Sequence, residues 1–336
     1  MGRYAVRRVL GAIPTLTVIS FVIFAILDLA PGDPTANLPL TVPPDVRENI
    51  RETLGLNDPF FLSWLKWMRQ MFISEPLNFI ESLFDIQVGS GERTRIISWA
   101  SRGPVVDTIV ERLPQTLWVL GLGFIFGILI AIPVGVISAY KQYSVFDNVG
   151  AVVSMIGYSV PTFFTGLVAI IIFSVYLGWF PSFYDTTHTV TDWSSLVVQI
   201  KQLVMPVAVL SLFNAAALSR FTRASMLDNL TEDYVRTARS KGLTERRVLL
   251  RHVLRNSLIP VTTLIALQVP GIFAGAIITE QIFRINGLGQ LLISAIQGAD
   301  IPMVQTLTFI FAVLIVVFNL VADLIYGLLD PRIRYD

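Results

Sequence analysis

The polar segment from Asp228 to Pro260 reads DNLTEDYVRTARSKGLTERRVLLRHVLRNSLIP and lies between two long apolar segments. Thr231 is a good N-cap residue, and the acidic side chains of the next two residues suit the positive end of a helix dipole. The helix that this predicts is about ten residues long, or roughly 15 Å, and closes at Lys241. The segment therefore begins with a short helix outside the apolar spans.

Gly242 follows that helix, and glycine enters the left-handed conformation at a helix end without steric cost. Thr244 can then cap a second helix that opens with Glu245 and carries basic residues toward the next apolar segment. A solvated basic loop is the plainer interpretation of such a charge run. Two capped helices joined by a glycine corner instead favour an ordered hairpin, which we call the hairpin, residues 220–257.

The composition is that of a membrane protein. The 336 residues are 54% hydrophobic and 15% charged, with a mean hydropathy of +0.66, which is too apolar for a soluble domain of this length. About 20 apolar residues cross a bilayer as a helix, and Pro161 predicts a kink or break in the third of six such spans. The spans are Val9–Leu27, Leu117–Ala139, Val149–Leu177, Leu203–Leu218, Leu258–Ile278 and Val304–Leu328.

The distribution of lysine and arginine predicts the orientation. The hairpin carries nine basic residues from Arg220 to Arg255, whereas the short connections on the opposite face carry only Lys201 and Arg284. Basic residues also mark both ends of the chain and the second connection: Arg3, Arg7, Arg8, Lys141, Arg332 and Arg334. Both termini and the hairpin are therefore predicted to be cytoplasmic, in a multi-pass protein of the inner (plasma) membrane.

The chain has few residues that suit catalysis or metal binding. It has no cysteine, and its two histidines are His188 and His252. This excludes disulfides, thiolate nucleophiles and a histidine-rich metal site, and it argues against an intramembrane hydrolase. The sequence contains no GxxxxGK[ST] phosphate loop, so we predict no enzymatic activity, no metal and no cofactor bound by this chain.

The connection after the first span, residues 30–112, is long enough to be translocated regardless of its charge. PPDVRENIRETLG predicts a short helix ending at Gly55, and Asp58 and Pro59 supply an N-cap and first position for a second helix. Apolar residues recur there at three- and four-residue steps: Phe61, Trp64, Leu65, Met68, Met71 and Phe72. Such a helix either lies in the membrane interface or packs on the ends of the spans. Residues 74–103 are predicted to be loop-like.

A small residue occupies every fourth position along the second span, which allows another helix to approach closely. The stripe is Gly123, Gly127, Ala131, Gly135 and Ala139, and Gly271 and Gly275 form a second pair. Packing within the chain and packing against a partner both remain open. Polar side chains at depth are candidates for a translocation path: Asn214, Gln268, Glu280 and Asn319.

Several segments together resemble one family. They are RYAVRRVLGAIPTLTVISFVIFAILDLAPGDP, GYSVPTFFTG, the hairpin sequence, EQIFRINGLGQLL and DLIYGLLDPRIRY. In this order and over nearly the whole length, the chain resembles the permease subunits of ABC importers for dipeptides, oligopeptides and nickel. The resemblance implies an all-α polytopic protein with six transmembrane helices and the type I ABC importer fold, with residues 1–29 as the first helix and 113–336 as a five-helix core.

The resemblance also implies how the chain functions. The hairpin would be the coupling element that sits in a groove of an ATPase subunit, with its contact residues being Glu232, Asp233, Tyr234, Val235, Ala238, Arg239, Lys241 and Gly242. ATP and Mg would be used by two partner ATPase subunits. A second related permease would complete the path, and an external binding protein would deliver the cargo: a peptide, an opine or a metal chelate.

Two features depart from the family pattern. The general importer motif begins Glu-Ala-Ala, whereas Thr237, Ala238 and Arg239 stand at the corresponding place. The external region between Phe72 and Arg112 is also longer than usual. An ion-coupled secondary transporter is the first alternative, although its buried carboxylates are expected near the midplane and the acids here gather near span ends. A membrane scaffold is the second, but it leaves the hairpin without a role.

Overall fold

The structure, a computed structural model, describes residues 2–29, 43–46, 48, 57–84 and 94–329, with backbone only for residues 2–5, 82–83, 270–276 and 324–329. Within these ranges the secondary structure is helical apart from one isolated β-bridge, Ile97 to Pro104. Three π-helical segments, Gln70–Ser74, Ile170–Tyr176 and Val248–Val253, continue α2, α6 and α9. The α-helices are α1 (Gly2–Asp28), α2 (Phe60–Arg69), α3 (Glu75–Phe84), α4 (Val105–Tyr140), α5 (Val145–Ser159), α6 (Thr162–Ala169), α7 (Trp193–Leu230), α8 (Asp233–Ser240), α9 (Glu245–Arg247), α10 (Leu254–Phe283), α11 (Leu288–Gln297) and α12 (Ile301–Leu329).

Some predicted features lie outside this description. Most of the helix predicted in PPDVRENIRETLG, together with Arg332 and Arg334, falls outside the described residues. Gly271 and Gly275 lie where only the backbone of α10 is described. The stripe of α4 and the whole hairpin are described with their side chains.

Four helices among the described residues are long and apolar enough to cross a membrane, and they lie at Val6–Asp28, Val105–Tyr140, Trp193–Leu230 and Ile301–Asp323. The fifth predicted span, Leu258–Ile278, lies within the 30-residue helix α10. The fourth predicted span was too short, because α7 runs for 38 residues. At 1.5 Å per residue α7 is about 57 Å long, so it extends well beyond the hydrocarbon core and reaches the hairpin.

The third predicted span is broken at Pro161, as the sequence predicts. The helical segments Val145–Ser159 and Thr162–Tyr176 meet at an angle of 104°. Val160 is extended, with φ −82° and ψ 125°, as expected for a residue before proline, and Pro161 is the N-cap of α6. The missing N–H and the ring of Pro161 prevent α5 from continuing. The break predicted in GYSVPTFFTG is therefore present.

The chain folds into two compact units. The first unit comprises Met1–Val9, Pro114–Gln290 and Leu314–Asp336, and the second comprises Leu10–Leu113 and Leu291–Val313. The hairpin and the small-residue stripe belong to the first unit. Most of the residues between the first two spans belong to the second unit.

In the second unit, one face of α2 packs on neighbouring helices. The indole N–H of Trp64 donates to Ser20 Oγ at 3.3 Å, and the Trp67 ring meets Phe309 edge-on at a centroid distance of 5.2 Å. Trp64 and Trp67 are buried, whereas Phe61 is 59% exposed. The apolar residues of α2 are thus divided between a packed face and an exposed face. Packing on other helices, one of the two sequence alternatives, accounts for the packed face.

The start of α2 differs from the prediction. The N-cap residue is Pro59, and the helix begins one residue later than predicted, at Phe60. Asp58 does not cap it, because its carboxylate forms a 2.6 Å ion pair with Lys66 Nζ. The prediction that Asp58 caps this helix was therefore wrong. The lysine two turns along the helix binds the carboxylate instead.

Residues 74–103 are not simply loop-like as predicted, because α3 occupies Glu75–Phe84. The buried Glu75 carboxylate accepts the Ile96 N–H at 2.9 Å and a hydrogen bond from Arg95 at 3.1 Å. Arg95 also pairs with Asp107 at 2.6 Å. A buried carboxylate needs such partners. These contacts order residues 94–96 against the first turn of α3, and no local sequence pattern indicates them.

In the first unit, the small-residue stripe of α4 lies against α7. A Cβ atom built on Gly123 would lie 2.8 Å from Leu210 Cβ, and one built on Gly127 would lie 2.8 Å from Asn214 Cβ. Ala131 is fully buried in a cluster that includes Leu218. The stripe is therefore used within the chain, where it lets two long helices approach closely.

We expect Gly135→Ala to lower the thermal stability of the purified protein. A Cβ atom on Gly135 would lie 2.6 Å from Thr222 Cβ and 2.7 Å from the Ser219 carbonyl oxygen, and overpacking of this kind costs about 1–3 kcal/mol. Gly121→Ala is the matched control, because a Cβ there meets no atom within 4 Å. It should leave the melting temperature unchanged or slightly raised. Equal melting temperatures for the two variants would contradict the close packing of α4 on α7.

Candidate functional site

The first helix of the hairpin, α8, begins differently from the prediction. Glu232 is its N-cap with extended backbone, and no side chain caps it. Thr231 was predicted to be the cap, but it ends α7 instead, where its hydroxyl donates to the Asp228 carbonyl at 2.9 Å. The Tyr234 hydroxyl donates to Asn229 Oδ1 at 2.7 Å across the same corner. The corner between α7 and α8 is therefore held by contacts to the last turn of α7.

Gly242 ends α8 with φ +76°, the left-handed conformation that the sequence predicted. The Gly242 N–H donates to the Arg239 carbonyl at 2.9 Å, and the Leu243 N–H donates to the Ala238 carbonyl at 3.4 Å. These two bonds form a Schellman motif. Leu243 also packs on the buried cluster that contains Ala238. Lys241 is the C-cap residue and is exposed.

One face of α8 is packed and the other is exposed. Val235 is fully buried and Ala238 is 4% exposed. They belong to one apolar cluster with Ala139 of α4, Met226 of α7 and Val248, Leu249 and Val253 of the π-helical segment. The opposite face consists of exposed polar residues: Asp233, Arg236, Thr237, Arg239 and Ser240. The short helix is thus held by its inner face and presents a polar outer face.

An ion pair links the two sides of the glycine corner. Arg239 binds Glu245 with two hydrogen bonds, of 2.7 and 3.2 Å. The side-chain hydrogen bond from Arg239 lowers the pKa of Glu245 below its ordinary value. Because the folded-state pKa is lowered, the pair stabilises the corner at neutral pH and is lost as the pH falls through that pKa. Both side chains are more than a third exposed, so the stabilisation is below about 1 kcal/mol.

The second half of the hairpin is helical from Glu245 and continues into α10, which ends at Phe283. The three-residue α9, the π-helical segment Val248–Val253 and α10 follow one another without a break. Just beyond the π-helical segment, Ser225 Oγ donates to the Ser257 carbonyl at 2.9 Å and Ser257 Oγ donates to the Ser225 carbonyl at 3.2 Å. This reciprocal pair joins α7 to α10 above the hairpin.

A buried ion pair joins α5 to α7 in the same unit. Arg223 binds Asp147 through Nε at 2.6 Å and through Nη2 at 2.8 Å. Asp147 is 2% exposed, and it also accepts the Tyr143 N–H at 2.9 Å. Ser144 caps α5 by accepting the Asp147 N–H at 3.3 Å. Removing one partner of such a pair leaves an uncompensated buried charge.

Glu280, a predicted path residue, is fully buried. Its carboxyl group accepts three hydrogen bonds: from the Thr116 hydroxyl at 2.8 Å, from the Gly289 N–H at 2.7 Å and from the Gln290 N–H at 3.1 Å. Thr116 Oγ1 in turn accepts the Leu288 N–H at 2.7 Å. The carboxyl group and the hydroxyl thus accept hydrogen bonds from the first N–H groups of α11. These groups have no partner within the helix and need one when buried.

The other three predicted path residues lie in different surroundings. Asn214 is half-buried over the small-residue stripe, where its Cβ approaches Gly127. Gln268 Oε1 is buried and has no hydrogen-bond partner among the described residues, and Asn319 is exposed. Within the described part of the chain, none of these side chains hydrogen-bonds to Glu280. The four residues do not form one hydrogen-bonded group.

Asp147, Arg223, Thr116 and the serine pair were not among the predicted site residues. Asp147 had a local signal, because Ser144 followed three residues later by an acid is a helix-start pattern. The glycines of GLG, residues 287–289, were another signal. Cβ atoms built on Gly287 and Gly289 would meet the Glu280 carboxyl group, so only glycine lets the chain pass there. The partners themselves are 76 and 164 residues apart in sequence.

Comparison with solved structures identifies the fold. The crystal structure of an amino acid ABC transporter with histidines matches with a TM-score of 0.51 at 13% identity, covering 66% of this chain and 94% of that chain. At this identity the match concerns the fold alone. The all-α polytopic class and the type I ABC importer membrane fold predicted from the sequence are thereby confirmed.

Sequence comparison identifies the family. Residues 131–335 match the family described as "Binding-protein-dependent transport system inner membrane component", and residues 1–120 match the N-terminal family of the same membrane components. The chain belongs to this family of inner membrane transport components. The predicted resemblance to ABC importer permeases is confirmed.

Full-length relatives are similar over the whole chain. The oligopeptide transport system permease protein AppB of Bacillus subtilis is 39% identical over 339 residues, covering 100% of both chains. A putative peptide transport system permease protein of Brucella abortus is 36% identical, and the glutathione transport system permease protein GsiC of Escherichia coli is 33% identical, each with the same full coverage. The chain is therefore a multi-pass membrane transport subunit.

Proposed function

We propose that this chain is one of two related permease subunits of an ATP-driven importer for dipeptides or oligopeptides. The observation that carries the proposal is α8, a short helix with an exposed polar face that is fixed by Val235 and Ala238 to the ends of longer helices. The cargo class is supported by the names of the full-length relatives, which are oligopeptide, peptide and glutathione permeases.

Two ATPase subunits are the proposed source of energy. The segment Glu232–Gly242 would sit in a groove of one of them, and ATP and Mg would be bound and used there. When the ATPases close around nucleotide, they would displace α8. Because α8 is joined at one end to α7 and at the other, through Gly242, to α10, the displacement would rock those spans. The path would then open to each side of the membrane in turn.

The proposed orientation follows the positive-inside rule. Both termini and the hairpin face the cytoplasm, and residues 30–112 lie outside, where an external binding protein delivers the cargo. The five-helix core, residues 113–336, supplies half of the path, and the second permease supplies the other half. Family membership does not favour an ion-coupled secondary transporter or a membrane scaffold.

Co-purification tests the proposed assembly. Extraction of the tagged chain in mild detergent should yield a second permease and two ATPase subunits. Arg236→Glu, a charge reversal on the exposed face of α8, should reduce recovery of the ATPases without reducing recovery of the second permease. Arg69→Glu is the same charge reversal at an exposed position of α2. It should leave recovery of the ATPases and of the second permease unchanged. A chain that is recovered alone and still transports would overturn the proposal.

A further inference from the structure

A cavity of about 410 Å³ lies where α4, α5 and α7 meet within the first unit. Ser138 and Val134 of α4 line one side, and Arg220 and Arg223 of α7 line another. Ala151 and Met155 of α5 are among the other lining residues; Met155 is 58% exposed and Ala151 is also exposed. The cavity thus has both polar and apolar lining, and its two charged side chains are on α7.

The charge in this cavity is positive and only partly neutralised. Arg223 is neutralised by its two hydrogen bonds to Asp147. Arg220 makes no hydrogen bond or ion pair within the described part of the chain. A guanidinium group binds phosphate oxygens with charge-assisted hydrogen bonds, and the Ser138 hydroxyl is a second donor in the lining. The cavity therefore has the donors for a singly charged phosphate group.

An apolar surface continues from the cavity along α5. Val149, Val152 and Ile156 are 54%, 51% and 55% exposed. α5 belongs to the bent helix pair that is apolar enough to enter a membrane, so an exposed apolar surface along it suits lipid tails. A small aqueous anion would bind only Arg220, whereas a phospholipid would bind Arg220 through its phosphate and pack its acyl chains on this apolar surface.

We propose that the cavity binds an anionic phospholipid, with its phosphate on Arg220 and Ser138 and its acyl chains along α5. Basic pockets between membrane helices on the cytoplasmic side are suited to such head groups. The proposal depends on the proposed function only for the leaflet, since Arg220 begins the basic run assigned to the cytoplasm. Lipid binding can be measured without transport, so failure of one proposal does not imply failure of the other.

The test is a titration of the purified, detergent-solubilised complex with phosphatidylglycerol, followed by native mass spectrometry. Arg220→Gln should weaken phosphatidylglycerol binding by about tenfold or more, as expected for loss of a hydrogen bond to a charged group. Arg255→Gln is the matched control, because Arg255 is also an exposed arginine of the hairpin but does not line the cavity. It should weaken binding by about fivefold at most, through long-range attraction alone.

Ala151→Phe keeps both arginines and fills the cavity from its exposed side, so it should also abolish the bound lipid. Inorganic phosphate is the second probe, and it should neither bind detectably nor displace the lipid at equal concentration. Equal phosphatidylglycerol binding by wild type and Arg220→Gln would overturn the site. Binding of inorganic phosphate as tight as that of the lipid, with the same dependence on Arg220, would overturn the assignment to lipid.

Discussion

Glu280→Ala is expected to lower the thermal denaturation midpoint of the purified protein by about 5 °C or more. The carboxyl group is fully buried and accepts the Thr116 hydroxyl and the N–H groups of Gly289 and Gln290. Alanine removes the acceptor and leaves these donors buried, and each unsatisfied buried donor costs about 1–3 kcal/mol. The start of α11 would lose its support. Thermal denaturation in detergent, followed by circular dichroism, measures the effect.

Two further variants separate the hydrogen bonds from side-chain volume. Glu280→Gln keeps one oxygen for the two N–H groups and an amide that can donate to Thr116 Oγ1, so it should be less destabilising than alanine. Thr116→Val keeps the shape of the side chain but leaves the Leu288 N–H without its acceptor. Its loss of stability should lie between those of the other two variants. If Glu280→Ala melts at the wild-type temperature, the proposed support of α11 by this carboxyl group is wrong.

The same variants decide between two roles for Glu280. The sequence predicted a residue of the translocation path, whereas the hydrogen bonds show a group that holds the start of α11. If Glu280 only supports α11, uptake by the Gln variant should fall no further than its stability predicts. If the carboxyl group serves the path, the Gln variant should keep most of its stability and lose uptake. Uptake assays in proteoliposomes at matched protein levels distinguish these results.

Features set by neighbouring residues were predictable from the sequence. The break of 104° follows from Pro161 and its effect on the preceding residue. The left-handed Gly242 follows from the helix that ends before it. The positions of the long apolar helices, though not their full lengths, follow from apolar length alone. Each of these depends on a few consecutive residues or on composition, so one sequence was sufficient to predict them.

Features set by residues far apart in the chain were not predictable. Asp147 and Arg223 are in separate helices, and nothing in either local sequence indicates that they pair. The role of Thr231 was also not predictable, although its partners are close in the chain. As a cap residue it could end one helix or begin the next. It is the C-cap of α7, and its hydroxyl donates to the Asp228 carbonyl in the last turn of that helix. The predicted fourth span covers only part of α7, because the ends of this helix are less apolar than its middle and extend beyond the membrane.

Gly242→Val is expected to uncouple uptake from ATP hydrolysis in the reconstituted complex. At φ +76° a residue with a side chain is strained by about 1–2 kcal/mol, and a β-branched one by more. A Cβ atom there meets nothing within 4 Å, so the strain arises from the backbone conformation alone. The corner would relax, and the Schellman bonds and the Arg239 to Glu245 pair would weaken. Uptake per ATP hydrolysed should fall by about fivefold or more.

Gly242→Asn is the matched control, because asparagine enters the left-handed conformation more readily than other residues with side chains. It adds a side chain at the same exposed position, so it should keep most of the coupling if the backbone conformation is what matters. Equal uncoupling by Val and Asn would mean that the exposed corner itself touches the ATPase and tolerates no side chain. Full coupling in both variants would show that α8 does not depend on the glycine corner to pass its displacement to α10, and would contradict the proposed role of Gly242.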